Sequence, residues 1–252
     1  MRDITFRAPV LGAALLAVLS VARPANAAPY PAYWPMYQDV LDCNRPAKNP
    51  QAAAEACRRL LVEPTVPGKE GVYVNLGTAH QNLHEWEDAL TAFSAAIALK
   101  PNDPVALLGR ANANIALFHL GPAIADLTAI LAIDPKNLAA LANRCTVRGE
   151  AAVDLDAALA DCDAALAIEP RAAAPLSGER GMIYLRQNKY DEAIAAYDAA
   201  INGGVKSAYF YFGRAVAKAR KGNKAGSDAD VAAALALNQD IKAAFATYGL
   251  MP

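Results

Sequence analysis

The stretch AFSAAIALKPND (residues 92–103) recurs in altered form as DLTAILAIDPKN (126–137) and DCDAALAIEPRA (161–172). Each copy joins a run of small and apolar residues to a Lys, Asp or Glu and then to a proline. The prolines, Pro101, Pro135 and Pro170, lie 34 and 35 residues apart. A self-similar pattern with a period of about 20 to 50 residues is typical of a protein built from repeated supersecondary units.

Small residues repeat in step with these prolines. One series lies in the second half of each unit: Ala89, Ala123, Ala158, Ala193 and Ala225. A second series lies 12 or 13 residues earlier: Gly77, Ala111, Cys145, Gly181 and Gly213. Further core positions follow at spacings of four and three, which place them on one helical face. Small residues in both helices let the two helices cross closely, so the pattern predicts five helical hairpins.

These features resemble the tetratricopeptide repeat, above all in NLGTAHQNLHEWEDALTAFSAAIALKP (75–101) and ERGMIYLRQNKYDEAIAAYDAAI (179–201). The resemblance implies an all-α, right-handed solenoid of stacked antiparallel helix pairs. The expected repeats are residues 70–103, 104–137, 138–172, 173–205 and 206–238. The fourth repeat has INGGVKS (201–207) where the proline belongs, so its second helix is expected to end at Gly203 and Gly204.

The two ends of the chain differ from the repeats. Residues 1–27 combine Arg2 and Arg7, a short apolar run and Ala25-Asn26-Ala27, which is the pattern of a cleaved secretory signal. The protein is therefore expected to be periplasmic or secreted, with an uncleaved membrane anchor as the alternative. Residues 28–69 are predicted to form another helix pair and a linker. Residues 239–252 are predicted to form a capping helix.

Four cysteines in an exported chain favour disulfides. Cys43 and Cys57 lie one on each helix of the predicted N-terminal pair. Cys145 and Cys162 lie one on each helix of the third repeat, where the other repeats place small and large residues. We predict the bridges 43–57 and 145–162; the alternative is four buried free thiols.

The sequence contains no pattern for catalysis or for a cofactor. The net charge of −1 does not indicate a nucleic-acid-binding surface. His80 and His84 have the i, i+4 spacing of two zinc ligands, but Gln81 occupies the place of a metalloprotease general base. A metal-binding or hydrolytic protein using this face is the alternative function. The acids Asp126, Asp161, Asp163 and Asp198 are interpreted as a solvated outer face.

The resemblance implies that first helices line a concave groove that binds a protein or peptide partner. The implied groove residues are Asn75, Thr78, Gln81, Asn82, Asn112, Asn143, Thr146, Met182, Arg186, Phe210, Tyr211 and Arg214. Asn112 and Asn143 are expected to hold an extended backbone at points two to three residues apart. Some family members clamp a C-terminal carboxylate with two asparagines and three basic residues. Here Leu108, Pro175 and Glu179 occupy the basic positions, so that activity is not implied.

Overall fold

The computed structural model describes residues 34–252, which form thirteen α-helices and one 3₁₀ turn, with no strand in that range. The helices are α1 (Trp34–Cys43), α2 (Pro50–Val62), α3 (Lys69–Asn82), α4 (Trp86–Leu99), α5 (Pro104–Ala116), α6 (Leu120–Ile133), α7 (Leu138–Ala151), α8 (Leu155–Ile168), α9 (Ala173–Arg186), α10 (Tyr190–Asn202), α11 (Ala208–Arg220), α12 (Lys224–Leu237) and α13 (Ile241–Thr247). The predicted all-α solenoid of stacked helix pairs is confirmed. The predicted signal at residues 1–27 lies outside the described residues.

None of the helices between residues 34 and 252 combines the length and the apolar composition that a membrane span requires.

Local sequence sets where the helices begin and end. The side chains of Asn49, Asp103 and Asn137 accept hydrogen bonds from the first backbone N–H groups of α2, α5 and α7. The second helices α4, α6 and α8 each end two residues before one of the repeated prolines. Helix α10 ends at Asn202, and Gly204 follows with φ of 91°, as expected for a glycine-based stop.

The turn inside each of the five repeats has a residue in the left-handed conformation at the same place, and the turn of the third repeat has a second one, Asp154 with φ of 47°. The residues at the shared place are His84, Phe118, Ala152, Asn188 and Gly222, with φ between 54° and 78°. The next backbone N–H then binds the carbonyl five residues back, as in Glu85 to His80 at 2.9 Å and Lys189 to Tyr184 at 2.9 Å. This hydrogen bond belongs to the Schellman motif and closes each first helix. The same turn therefore recurs although four of its five central residues are not glycine.

The helices form two compact units, which divide between residues 101 and 102. In the first unit, α2 packs against α1 and α3, and α3 packs against α4. Its core contains Cys43, Cys57 and Leu60 together with Val72 and Leu76.

The second unit contains α5 to α13. Each hairpin packs on the next, and the first helices α7, α9 and α11 also contact their neighbours directly. The core at its C-terminal end is aromatic, with Tyr197, Phe210, Phe212 and Phe245 buried. Phe245 belongs to α13, which packs against α11. This helix therefore packs on the last hairpin.

The sequence assigned the fifth repeat to the wrong register. In α4, α6, α8 and α10 the fourth residue of the helix is the buried small alanine. The fourth residue of α12 is Ser227, which is buried, whereas the predicted Ala225 is exposed. The matching first-helix residue is Ala215 and not Gly213, because each crossing residue other than Cys145 lies five residues before its helix end. The true register is therefore shifted by two residues.

The helix crossings explain the pattern of small residues. A Cβ added to Gly77 would lie 2.8 Å from the Phe93 ring, and one added to Gly181 would lie 2.8 Å from the Tyr197 ring. A large side chain of the second helix thus occupies the space that the glycine leaves. In the third repeat Cys145 and Cys162 meet at this crossing instead, and both are fully buried.

The cysteines adopt the two predicted pairings. Cys43 joins Cys57 with a Cα–Cα distance of 4.9 Å, and Cys145 joins Cys162 with a Cα–Cα distance of 5.3 Å. Each bridge links the two helices of one hairpin. A loop of about 15 residues closed in this way stabilises a fold by roughly 3 kcal/mol in the chain-entropy account.

Candidate peptide-binding face

The candidate binding residues divide between the two units, four in the first and eight in the second. Most are partly buried on first helices, which is suitable for a surface that contacts a partner. Met182 and Phe210 are exceptions, since they are 1% and 5% exposed and belong to the core of the second unit. Their assignment to a binding surface is wrong. For Phe210 the cause is the two-residue register error in the fifth repeat.

In the first unit, hydrogen bonds within the chain occupy most of the candidates. Asn75 donates to Asn44 at 2.8 Å, and Asn82 donates to the carbonyl of Pro46 at 3.2 Å. The Thr78 hydroxyl donates to the carbonyl of Val74 in its own helix. Gln81 is half-buried on the same helix. The two asparagines tie α3 to the segment after α1, and their role there is structural.

In the second unit, Asn112 and Asn143 contact each other. Asn143 Nδ2 donates to Asn112 Oδ1 at 3.0 Å, linking α5 to α7. Both side chains are half-buried. Within residues 34–252 the Asn112 amino group and the Asn143 carbonyl oxygen make no further hydrogen bond. The expectation of two separate grips is therefore corrected: the amides form one unit with a free donor and a free acceptor.

The other candidates of the second unit are engaged in several ways. The Thr146 hydroxyl donates to the carbonyl of Ala142 in its own helix. Arg186 donates to the backbone carbonyl of Glu150 at 2.8 Å. The Arg214 guanidinium lies 5.6 Å from the centre of the half-buried Tyr211 ring.

Arginine side chains hold buried acids between the helices of the second unit. Arg110 binds Asp126 with contacts of 2.9 and 2.6 Å, and Arg144 binds Asp161 with contacts of 2.8 and 2.7 Å. Arg214 binds Asp230 in the same bidentate way and also contacts Asp198 at 2.5 Å. The sequence did not predict these pairs.

The interpretation of the acids as an outer solvated face is therefore wrong for Asp126 and Asp161, which are 5% and 6% exposed. It holds better for Asp163 and Asp198, whose side chains are 60% and 44% exposed. A signal was available in the sequence, because an arginine lies 16 or 17 residues before each of the buried acids. Arg214 is consequently a packing residue and not a free group for a partner.

The fourth repeat lacks this ion pair. Arg180 directly precedes the crossing residue Gly181, as Arg110 precedes Ala111. The matching position on α10 is Ala196, so Arg180 turns to the exposed Asp163 at 3.5 Å. The Arg180 Nε atom is left buried without a hydrogen bond.

A second group of polar residues, Glu150 on α7 and Glu179 on α9, was not predicted. Glu150 and Glu179 are half-buried carboxylates. Burial raises the pKa of Glu179 to about 7, and the negative charge of Glu150 adds to the shift. Burial also raises the pKa of Glu150, while Arg186 opposes that rise. The sequence offered one hint, because Glu179 occupies a basic position of the carboxylate-clamping relatives.

The histidines of the alternative hypothesis, a metal-binding or hydrolytic face, do not lie together as a pair. His80 is buried; its Nδ1 lies 2.5 Å from Glu85 and its Nε2 lies 3.2 Å from the Arg58 guanidinium. His84 lies on the exposed turn with its ring 5.4 Å from that of Trp86. Among the described residues, the potential ligands within 4.8 Å of one another are His80, Glu85 and Asp88. The neighbouring Arg58 cation disfavours a metal ion at this place.

A family model for the tetratricopeptide repeat matches residues 71–103, and a second tetratricopeptide repeat model matches residues 179–247. These matches cover the first repeat and the last two hairpins. Together with the fold, they show that the chain contains tetratricopeptide repeats.

Solved structures of low sequence identity share this fold. A tetratricopeptide repeat protein from Parabacteroides merdae superposes with a TM-score of 0.67 at 20% identity, covering 78% of this chain and 77% of that one. TTC0263, a tetratricopeptide repeat protein of Thermus thermophilus, gives a TM-score of 0.55 at 24% identity over 72% and 100% of the two chains. MamA from Desulfovibrio magneticus gives 0.59 at 18% identity over 69% and 97%. No curated protein sequence gives a significant match.

Proposed function

We propose that this protein is an exported, non-catalytic scaffold that binds an extended segment of a protein partner on the first helices of its second unit. Tetratricopeptide repeat proteins serve as protein-interaction scaffolds, and the fold supports that general role here. The observation that carries the proposal for this face is the Asn112–Asn143 pair. It leaves one amide donor and one carbonyl acceptor without a partner in the described chain.

An extended backbone offers the complementary groups. Each residue carries one N–H donor and one C=O acceptor, so the Asn112 amino group can donate to a backbone carbonyl while the Asn143 oxygen accepts a backbone N–H. Such a contact reads the backbone and not the side chains. It therefore contributes affinity with little sequence preference, and neighbouring groups must supply the selectivity.

Export is proposed from two features. Residues 1–27 have the pattern of a secretory signal. The paired cysteines favour an oxidising compartment, because disulfides persist there and are rare in the cytosol. A role in envelope assembly or secretion fits this location. Mass spectrometry of protein purified unreduced from the exporting compartment should find a new N-terminus at Ala28 and no alkylatable thiol. An intact N-terminus with four free thiols would contradict the proposed location.

Binding is tested by selecting peptides from a random displayed library on the mature protein. Isothermal titration should then give an affinity at least about tenfold weaker for Asn112→Ala combined with Asn143→Ala, because a donor and an acceptor are lost together. Asn202→Ala is the matched control, since this exposed amide lies at the end of a second helix. The melting temperature should change little, because both partners of one hydrogen bond are removed together. Equal affinity of the double variant and the wild type would place the binding surface elsewhere.

A further inference from the structure

Glu150 and Glu179 differ from the other sheltered acids of the second unit. Asp126, Asp161 and Asp230 are each held by an arginine. By contrast, the carboxylates of Glu150 and Glu179 have no hydrogen bond or ion pair within residues 34–252. Removing a carboxylate from water without a partner is costly. These two partly buried carboxylates on first helices therefore lack the stabilisation that an arginine gives to the other buried acids.

Buried phenol groups point to the same place. Tyr197 is fully buried, and its hydroxyl makes no hydrogen bond. Its ring packs against Gly181 of α9, and its hydroxyl reaches past Gly213 of α11, so the side chain passes between two first helices. The charge of Glu179 acts on this hydroxyl and contributes, after burial, to raising its pKa. Tyr209 of α11 likewise has a buried hydroxyl without a hydrogen bond.

The chain itself does not neutralise Glu179. The titratable groups that interact electrostatically with Glu179 are Glu150 of α7 and three phenols. These are Tyr197 of α10, Tyr209 of α11 and Tyr248, which directly follows α13. Among residues 34–252, Arg186 is the cation that acts on the pKa of Glu150, which it lowers against the effect of burial, and no cation acts on that of Glu179.

Other charged groups nearby are already committed. The Arg186 guanidinium donates to the carbonyl of Glu150 and stacks 5.1 Å from the Tyr248 ring centre. The acids of α8 have their own partners, with Asp161 bound by Arg144 and Arg148 and with Asp163 beside Arg180. A positive charge supplied from outside would therefore meet Glu179, on which no internal cation acts, and Glu150, which Arg186 stabilises only in part.

We propose that Glu150 and Glu179 form a subsite for a lysine or arginine side chain of the bound segment. This inference rests on the proposed function and adds the chemistry of the partner to it. A cation between the carboxylates relieves their mutual repulsion.

The test uses the peptides that a random displayed library yields on the wild-type protein at pH 8. These peptides should share a position enriched several-fold in lysine or arginine. Replacing that residue by norleucine (or, for arginine, by citrulline) should weaken binding about tenfold on wild type and leave binding to Glu179→Gln nearly unchanged. The affinity of the basic peptide should also fall several-fold from pH 8 to pH 5.5, because protonation of Glu179 removes the charge that it needs.

Glu192→Gln is the control variant, because Glu192 is exposed on the second helix α10. It should bind the basic peptide as wild type does. Peptides that bind through Asn112 and Asn143 but lack any basic preference would overturn the subsite and leave the proposed function standing. A basic peptide that binds Glu179→Gln as tightly as wild type would also overturn it. A library that yields no binding peptide would reject the proposed function together with the subsite.

Discussion

Replacement of Asp161 by alanine should destabilise the second unit strongly. Asp161 lies on α8 with 6% exposure and accepts three hydrogen bonds from two arginines. Arg144 contacts it at 2.8 and 2.7 Å, and Arg148 contacts it at 2.9 Å. The substitution removes the single acid that both guanidinium groups share, while the two cations stay in place.

The magnitude follows from what remains after the substitution. Arg144 and Arg148 have side chains that are 15% and 14% exposed, so water can solvate them only in part. Removing one partner of a buried ion pair costs about 3–5 kcal/mol, largely because the other charge is left uncompensated. Partial access to water reduces this figure, and we expect a loss of about 3 kcal/mol in the free energy of unfolding.

Equilibrium denaturation in urea, followed by far-ultraviolet circular dichroism, measures this loss. Asp163→Ala is the matched control, because Asp163 lies two residues further along the same helix with a side chain that is 60% exposed. Its loss should cost at most about 1 kcal/mol, as is usual for an exposed ion pair. The dependence of the unfolding free energy on urea concentration, compared between the two variants, tests whether the repeats still unfold together.

Equal effects of the two substitutions would refute this reasoning, because they differ in burial and in the number of arginine contacts. A double substitution of Asp161 and Arg144 supplies a second check. It should cost less than the sum of the single substitutions, since Arg144 is removed with its acid and only Arg148 is left uncompensated. Strict additivity would mean that the ion pair seen between α7 and α8 does not contribute to stability.

Three further perturbations test other features by thermal or urea unfolding. The raised pKa of Glu179 makes the folded state bind more protons than the unfolded state, so the stability of the wild type should fall between pH 4.5 and about 7, by at most roughly 3 kcal/mol. Glu179→Gln should remove this fall, and a flat wild-type profile would contradict the prediction. Ala196→Asp should give Arg180 its missing partner and add about 0.5–1 kcal/mol, whereas destabilisation would reject the repeated ion-pair position. Phe118→Gly should stabilise the second unit by about 1 kcal/mol, because Phe118 is exposed with φ of 58°; an unchanged melting temperature would count against strain in that turn.

The sequence was sufficient for the features that depend on neighbouring residues. The hairpins, their turns and their ends were predicted because a helix stop such as Pro135, or a glycine pair such as Gly203 and Gly204, acts within a few residues. The pairing of Cys145 with Cys162 was also accessible. Both cysteines interrupt a periodic pattern at positions that a helical hairpin must bring together.

Other features depended on which face of a helix becomes buried. In the alanine-rich helix α12, both Ala225 and Ser227 satisfy a rule that asks only for a small residue, and packing against α11 selected Ser227. Phe210 was predicted to lie on a binding surface for the same reason, because the sequence did not show which face of α11 is buried. The buried Asp161 and the unpaired Glu179 look alike in the sequence, because both are acids on amphipathic helices. Only the tertiary structure decides which of them receives an arginine, since that depends on side chains contributed by other helices.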